Sequence, residues 1–89
     1  MEYGWDPAKA AADLRKHKVD FADAVVALED SLARTVHDPD ASGGERYVSL
    51  GSDSTGRLLV TVFARRKKRI RIISSRRASP AEHRHYEEH

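Results

Sequence analysis

The 89-residue chain contains no cysteine, which rules out a disulfide framework and a thiolate metal site and suits a reducing compartment. It has no apolar run long enough to cross a bilayer. Its N-terminus also lacks the basic-then-apolar layout of a secretory signal. We therefore expect a soluble, cytoplasmic protein with no membrane partner, folded as a single domain over residues 1–89.

Motifs of several enzyme classes are missing as well. The chain has no P-loop, no G-x-G-x-x-G and no G-x-S-x-G, so nucleotide-driven and serine-hydrolase chemistry have no support. His83, His85 and His89 do not have the spacing of a metal site, because residues two apart on a helix point to different sides. No H-E-x-x-H motif accompanies them. We expect neither a metal nor another cofactor.

The basic residues are concentrated in the C-terminal part of the chain, although the net charge is only +2. Residues 1–56 carry six basic and eleven acidic residues, whereas residues 57–89 carry ten basic and three acidic residues. Such an asymmetry is typical of a surface that binds a polyanion such as nucleic acid. The alternative is that the two parts interleave in space and the asymmetry has no function.

Half of the basic residues lie between Arg65 and Arg77, in a stretch without any acidic residue. Its middle alternates charged and β-branched side chains, which predicts a strand with one wet and one buried face. One side of this strand then carries Arg69, Arg71 and Ile73, and the other carries Ile70 and Ile72. The wet face is suited to a phosphate backbone. The alternative is a solvated edge strand whose charges only discourage aggregation.

Three helices are predicted from capping signals and apolar spacing. Asp6-Pro7 is a strong helix start, and the residues that follow, 8–17, are rich in helix formers. Asp20 can cap a second helix over residues 21–28, whose apolar residues recur at i, i+3, i+4 and i+7. A capping box at residues 79–82, with proline at the first helical position, predicts a third helix over residues 80–88.

Four strands are predicted between the second and third helices. Their expected ranges are residues 32–38, 46–51, 57–65 and 69–75, joined by turn-rich segments at 39–44 and 52–56 and by the tight connection at 66–68. Short links favour an antiparallel meander. We therefore predict an α+β fold with two N-terminal helices, a four-stranded antiparallel sheet and a C-terminal helix. Residues 1–5 resemble a further brief strand, with Tyr3 and Trp5 on one face.

Lys16 and His17, at the end of the first predicted helix, are candidates for catalysis. Histidine titrates near neutrality and can transfer a proton during phosphodiester cleavage, and lysine can neutralise a phosphate. The alternative is that both cations only stabilise the negative end of the helix.

Arginine side chains of the third and fourth predicted strands form a second group of candidates. Guanidinium groups bind phosphate through paired hydrogen bonds and stabilise charge that develops in a transition state. We expect Arg65 to lie close to the face of Arg69 and Arg71, with Arg76 closing the site. Tyr86 is expected either to stack on a base or to pack its ring against the sheet.

Two stretches resemble the signatures of a known family. WDPAKAAADLRKHKVDFADA, from Trp5 to Ala24, resembles the N-terminal signature of the BrnT toxin family, and RIRIISSRRASPAEHRHYE, from Arg69 to Glu87, looks like its C-terminal signature. The resemblance covers nearly the whole chain. It implies a type II toxin, a small bacterial ribonuclease of the RelE-like fold that stops translation by cleaving RNA. It also implies a BrnA-type antitoxin that dimerises, forms a 2:2 complex with the toxin and supplies the only contact with DNA.

The resemblance also carries over individual positions. The polar residues that match the signatures are Lys9, Lys16, His17, Arg71, Ser74, Arg76, Glu82 and Tyr86. There are two mild departures, since Asp13 stands where the family often has Asn and Asp23 where Glu is common. If the Glu position supplies a general base, the shorter side chain of Asp23 reaches less far.

The residues and the resemblance together predict metal-independent RNA cleavage. The expected catalytic residues are Lys16, His17, Arg65 and Arg71, and the expected substrate-binding residues are Lys9, Arg69, Arg76 and Tyr86. In this hypothesis arginines hold the phosphates, and His17 or Lys16 assists attack of a ribose 2′-hydroxyl on the adjacent phosphate. The alternative function is a non-catalytic module that uses the same basic strand face to bind RNA or a protein partner.

Overall fold

The computed structural model describes residues 1–38 and 45–88 as three helices and five strands. In chain order the elements are β1 (Glu2–Trp5), α1 (Pro7–His17), α2 (Phe21–Leu28), β2 (Arg34–His37), β3 (Arg46–Ser52), β4 (Leu58–Arg66), β5 (Arg69–Arg77) and α3 (Pro80–Glu87). The turn-rich segment predicted at 39–44 lies outside the described residues. The predicted α+β class and all three predicted helices are confirmed.

The sheet differs from the predicted one by its fifth strand. The order is β1-β5-β4-β3-β2, and β2 to β5 form the predicted antiparallel meander. β1 pairs in parallel with β5, with Tyr3 opposite Ile70 and Gly4 opposite Arg71. The prediction of a four-stranded antiparallel sheet was therefore wrong, and the sheet is five-stranded and mixed. The strand at residues 2–5 was recognised, but its partner lies far along the chain, where no local turn signals the pairing.

The observed ranges of two strands differ from the predicted ranges, and the alternation of β5 is interrupted. The predicted strand at 32–38 begins later, because the Asp30 carboxylate accepts a hydrogen bond from the Leu32 amide at 3.0 Å and holds a turn there. β5 is longer than predicted and includes Arg76 and Arg77. A register shift between β4 and β5 leaves Ile73 out of the pairing. The predicted alternation therefore breaks at Ile73, and Ser74 and Arg76 take the Arg71 side of the sheet.

α1 and α2 pack on one face of the sheet. Phe21 and Ala24 of α2 pack with Ile72, and Ala27 packs with Leu59, all of them buried. α2 approaches β3 so closely that a Cβ atom at Gly51 would collide with the carbonyl oxygen of Ala27. The packing of α2 on β3 therefore requires glycine at position 51, since any side chain there would overlap the backbone of α2.

Asp13 of α1 binds the edge of β5. Both carboxylate oxygens of Asp13 accept from the Ser75 amide, each at 3.3 Å. This amide lies beyond the end of β1, so the carboxylate replaces the missing strand partner. Burial raises the pKa of Asp13, and the charges of His17 and Lys16 and the hydrogen bond from Ser75 oppose the rise.

α3 packs on the opposite face of the sheet and covers only part of it. Its Tyr86 packs against the apolar cluster of Leu50, Leu58 and Val60. The Arg34 guanidinium of β2 also donates to the carbonyl oxygen of His85 at 2.9 Å. In the part of the chain that the structure describes, no helix covers the rest of this face, towards the β4–β5 turn.

Candidate functional site

The strand register places four residues side by side on the face of the sheet that α3 leaves open. They are Gly4 of β1, Arg71 of β5, Ala64 of β4 and Arg46 of β3, each paired with the next. Paired residues on neighbouring strands project to the same side of a sheet. Arg71 and Arg46 therefore flank Ala64, with their Cα atoms two strand spacings, or roughly 10 Å, apart.

A cavity of about 610 Å³ opens beside this row, and we call it the groove. The residues used below from its lining are Glu2, Gly4, Glu45, Ala64, Arg66, Arg69 and Arg71. Gly4 and Ala64 contribute almost no side-chain volume, and an ideal Cβ at Gly4 would meet no heavy atom within 4 Å. The floor beside Arg71 is therefore open to an incoming group.

Within the described ranges, Arg71 is the arginine of the groove that has no ion-pair partner. Arg69 pairs with Glu2 at 3.6 Å and Arg66 pairs with Glu45 at 3.3 Å, and all four side chains are more than half exposed. Such exposed pairs contribute little free energy and exchange readily for a phosphate partner. Arg71 forms no ion pair or side-chain hydrogen bond with any residue in 1–38 or 45–88.

Arg76, a predicted substrate-binding residue, is engaged with α3. Its guanidinium donates to both carboxylate oxygens of Glu82 at 2.9 Å, and Glu82 also accepts from the Ser79 amide at 2.7 Å in the predicted capping box. The hydrogen bonds from Arg76 lower the pKa of Glu82 to about 2. Arg76 lies on the same face as Arg71 but anchors the helix beside the groove, and its contact with RNA stays a prediction.

We expect the Arg76–Glu82 pair to stabilise the fold in a pH-dependent way. Because the folded pKa of Glu82 lies below its ordinary value of 4.5, the contribution is complete above pH 4.5 and is lost as the pH falls towards 2. At pH 7, Glu82→Gln should lower the free energy of unfolding by about 1 kcal/mol, a figure discounted for solvent screening. Urea unfolding of both proteins from pH 7 to pH 2.5 measures the difference. A difference that does not shrink at low pH would contradict the assignment.

Tyr86 packs its ring against the sheet, as one of its two predicted fates. Its hydroxyl donates to Asp30 at 2.6 Å, which raises the pKa of Tyr86 to about 12. Burial alone would raise the pKa of Asp30, but hydrogen bonds from Tyr86 and from the Leu32 and Ser52 amides outweigh it and lower the value. Tyr86 thus fixes α3 to the turn after α2, and base stacking on it stays a prediction.

Lys16 and His17 lie far from the groove. The two residues end α1. The carbonyl oxygen of the next residue, Lys18, accepts a hydrogen bond from Arg57 at 3.0 Å, which places this end of α1 beside the start of β4. Arg71 pairs near the other end of β4, roughly 20 Å along the strand, and on the opposite face of the sheet. The structure therefore brings Lys16 and His17 together with each other but not with Arg71.

Two other predicted site residues also lie away from the groove. Arg65 pairs with Ile70, so it projects from the face opposite to Arg71, and the expectation that it lies close to the Arg71 face was wrong. Strand alternation explains this, because neighbouring residues Ala64 and Arg65 point to opposite sides. Lys9 is exposed on α1. Asp23, the candidate base position, pairs with Arg57 at 3.3 Å.

Sequence reasoning missed five residues of the open face. They are Glu2, Gly4, Glu45, Arg46 and Arg66, which come from three strands and one loop end. One signal was available for Gly4: if the neighbouring aromatic residues share one face, the glycine between them faces the other way. The remaining residues meet only through cross-strand register, which the sequence does not reveal.

In residues 1–38 and 45–88, no three histidine, aspartate or glutamate side chains converge in a group that could hold a metal ion. Within the same ranges, every helix is too short or too polar to cross a membrane.

A cationic groove with an arginine that has no partner among the described residues, set on the sheet face that α3 covers only in part, is typical of a protein that binds a polyanion. Comparison with known families gives the particular protein class. The chain belongs to the family described as "Ribonuclease toxin, BrnT, of type II toxin-antitoxin system", whose sequence profile matches residues 5–82. It is thus a ribonuclease toxin by family, with an RNA substrate and an antitoxin as its implied partners.

A solved structure supports the fold. The chain is similar to the crystal structure of the Brucella abortus ribonuclease toxin BrnT, with a TM-score of 0.69 and 24% sequence identity. The similarity covers 89% of this chain and 97% of that one. No curated protein sequence matches the chain.

Proposed function

We propose that the protein is an endoribonuclease that binds RNA in the groove and cleaves it at a phosphate held by Arg71. The observation that carries this proposal is the exposed Arg71 guanidinium, which has no partner among the described residues and lies between Gly4 and Ala64. A guanidinium in this position can hold a phosphate through two hydrogen bonds. Arg46, Arg66 and Arg69 add positive charge on either side, which attracts neighbouring phosphates.

The chemistry is a transfer of the phosphodiester to the adjacent ribose hydroxyl. The 2′-oxygen loses its proton and attacks phosphorus, the bond from phosphorus to the 5′-oxygen breaks, and the leaving oxygen takes up a proton. The products are a 2′,3′-cyclic phosphate and a 5′-hydroxyl end, and no metal is required. Negative charge grows on the phosphoryl oxygens during attack, and a preorganised Arg71 stabilises it where it develops.

The proton acceptor in this proposal is a carboxylate of the groove. Glu45 and Glu2 line the same cavity as Arg71, and among the described residues each forms an ion pair with one exposed arginine. Lys16 and His17 are roughly 20 Å away along the sheet and on its other face, so they act on a phosphate at Arg71 only through a rearrangement of the fold. If the reaction is instead centred on Lys16 and His17, RNA must bind along the end of α1. The Glu45→Gln and His17→Ala variants described below distinguish the two possibilities.

We propose further that RNA cleavage inhibits translation in the bacterial cytoplasm and that a BrnA-type antitoxin neutralises the protein. Membership in a type II toxin–antitoxin family supports a protein antitoxin. The net positive groove is suited to an acidic segment of that partner, which would then compete with RNA for Arg71. A 2:2 complex and DNA binding through the antitoxin follow from the resemblance to the family.

Induced expression in a bacterial host tests the proposal, with growth and total RNA integrity followed together at matched protein levels. We expect the wild type to arrest growth with loss of intact RNA. Glu45→Gln should relieve the arrest if Glu45 accepts the proton, whereas His17→Ala should remain toxic. The reverse pattern would move the chemistry to the end of α1. Normal growth with intact RNA and abundant folded wild-type protein would favour the binding module without catalysis.

A synthetic RNA that carries a single 2′-deoxyribose at the cleaved position tests the chemical step with purified protein. The proposal predicts no cleavage at that position, because the attacking oxygen is missing, and undiminished binding of the RNA. Cleavage of the deoxy substrate at the same rate would exclude attack by the 2′-hydroxyl. Activity that survives excess chelator is expected in the same assay.

A further inference from the structure

Three rings form a row on the sheet face opposite to the groove. His37, Tyr47 and Phe63 are paired in register across β2, β3 and β4. The ring centroids of Tyr47 and Phe63 are 5.6 Å apart and nearly parallel, at 23°, and His37 meets Tyr47 edge-on with centroids 5.3 Å apart. Solvent exposure rises along the row: Phe63 is only 6% exposed, Tyr47 is half-buried and His37 is exposed.

The outer part of this row is not covered by α2. The helix starts at Phe21, on the β1 side of the sheet, where the ring centroids of Phe21 and Trp5 are 5.9 Å apart. It then crosses to Gly51, four residues along β3 from Tyr47, or roughly 13 Å away. A partly buried tyrosine stacked on a buried phenylalanine is held rigidly, because core packing sets the position of its ring.

Arg65 lies on the same face, two residues after Phe63 along β4. Its backbone amide is bonded to the Glu45 carbonyl oxygen at 2.9 Å, but its guanidinium has no partner among the described residues. A cation with no partner among the described residues, beside a partly exposed aromatic ring, is the combination with which proteins bind single-stranded nucleic acid, because bases stack on the ring and the cation holds a phosphate.

A cationic path joins this surface to the groove. A second depression, of about 780 Å³, is lined by Glu45, Arg66, Lys67, Lys68 and Arg69 at the β4–β5 turn. It shares Glu45, Arg66 and Arg69 with the groove, so the two are continuous around the end of the sheet. Arg65 is the chain neighbour of Arg66 in β4 and projects from the other face. An RNA strand that leaves Arg71 can therefore pass the cations of the turn, with Glu45 among them, and reach Arg65.

We propose that Tyr47 is a stacking platform for one unpaired nucleobase of the RNA substrate, with His37 bordering the platform edge-on and Arg65 holding the phosphate of that nucleotide. The proposal rests on RNA cleavage in the groove and extends it: the base that stacks is a few nucleotides from the phosphate at Arg71. The substrate is therefore single-stranded on this side of the cut, because a base in a duplex cannot reach the platform. Arg65, which the sequence grouped with Arg71, acts here as a binding residue on the other face.

Kinetic comparison of Tyr47→Leu with the wild type tests the platform. On a short single-stranded RNA we expect Tyr47→Leu to raise KM by about ten-fold, in line with the loss of one base–aromatic stack, and to change kcat little. Tyr47→Phe keeps the ring and should rescue binding. Leu14→Ala, which shortens an exposed side chain on α1, serves as the matched control and should keep the wild-type KM.

Substrate changes distinguish stacking from a structural effect of the substitution. An abasic site is moved one nucleotide at a time from the cut, and one position should raise KM for the wild type but add nothing for Tyr47→Leu. A 2-aminopurine at that position, in an RNA blocked by 2′-deoxyribose at the cut, should lose fluorescence on binding the wild type and not Tyr47→Leu. If circular dichroism finds Tyr47→Leu unfolded, His37→Ala at its exposed position replaces it in both assays.

The outcomes separate this proposal from the function on which it rests. A folded Tyr47→Leu or His37→Ala variant with wild-type KM, and no abasic position that matters, would overturn the platform while leaving RNA cleavage in place. A wild-type protein that neither binds nor cuts any of the RNAs would overturn the proposed function itself. Equal loss of binding for single- and double-stranded RNA in Tyr47→Leu would also overturn the platform, because stacking requires an unpaired base.

Discussion

Arg71→Ala will reduce RNA cleavage by at least about 100-fold while the protein keeps its fold, because the substitution removes the guanidinium that stabilises charge on the attacked phosphate. Arg71 is exposed on β5 and its side chain has no described partner, so folding does not depend on it. Single-turnover cleavage of a short RNA measures the effect. Arg71→Lys should recover only part of the activity, since an ammonium keeps the charge but loses the bidentate geometry.

Two matched variants make this result specific to the groove. Arg77→Ala removes an equally exposed arginine from the same strand, but Arg77 pairs with Leu59 on the other face and should retain wild-type cleavage. Gly4→Leu places a side chain beside Arg71, where an ideal Cβ meets nothing within 4 Å, and should block cleavage without loss of stability. Full activity in both Arg71→Ala and Gly4→Leu would mean that RNA is cut elsewhere.

Gly51→Ala should have the largest effect on stability. The added Cβ would overlap the Ala27 carbonyl oxygen and lie 3.2 Å from the Ala33 Cβ, so α2 has to move away from β3. The backbones of a helix and of an interior strand cannot move aside as easily as a flexible side chain can. We expect a loss of about 3 kcal/mol, at the upper end of overpacking effects, and a fall in Tm of more than about 10 °C for a domain of this size.

Gly4→Ala is the control for that experiment. It makes the same chemical change in another strand of the sheet, at a position where the new Cβ has open space. Its Tm should therefore stay within a few degrees of the wild type, as expected for a substitution at an exposed site. If Gly51→Ala also kept its Tm, the close approach of α2 to β3 would be refuted.

The helices were predictable because their signals are local. Asp6, Asp20 and Ser79 each accept a backbone hydrogen bond at the helix start, as their positions in the sequence predicted. The short links between β2 and β5 likewise made the antiparallel meander predictable. In contrast, the bulge at Ile73 has no sequence signal, and the regular alternation drawn through β5 failed there.

The site was predicted less well than the fold, because it depends on which residues lie opposite one another. Arg69 and Arg71 were expected on one face and are found there, beside the groove. Arg65 was expected with them but lies on the other face, and Arg76 lies with them but binds Glu82. One clustered charge run in the sequence thus serves three purposes in the fold: the groove, the anchor of α3 and the proposed platform.

The amino-acid sequence by itself determined the elements, the excess of cationic residues near the C-terminus and the family, since caps, periodicity, charge and signature motifs are all properties of neighbouring residues. Only the tertiary structure decided that β1 joins β5 and sets Gly4 beside Arg71. It also decided that α3 takes Arg76 while leaving Arg71 open, and that Lys16 and His17 lie on the other side of the sheet. The physical reason is that each of these outcomes depends on strand register and helix packing, which join residues far apart in the chain.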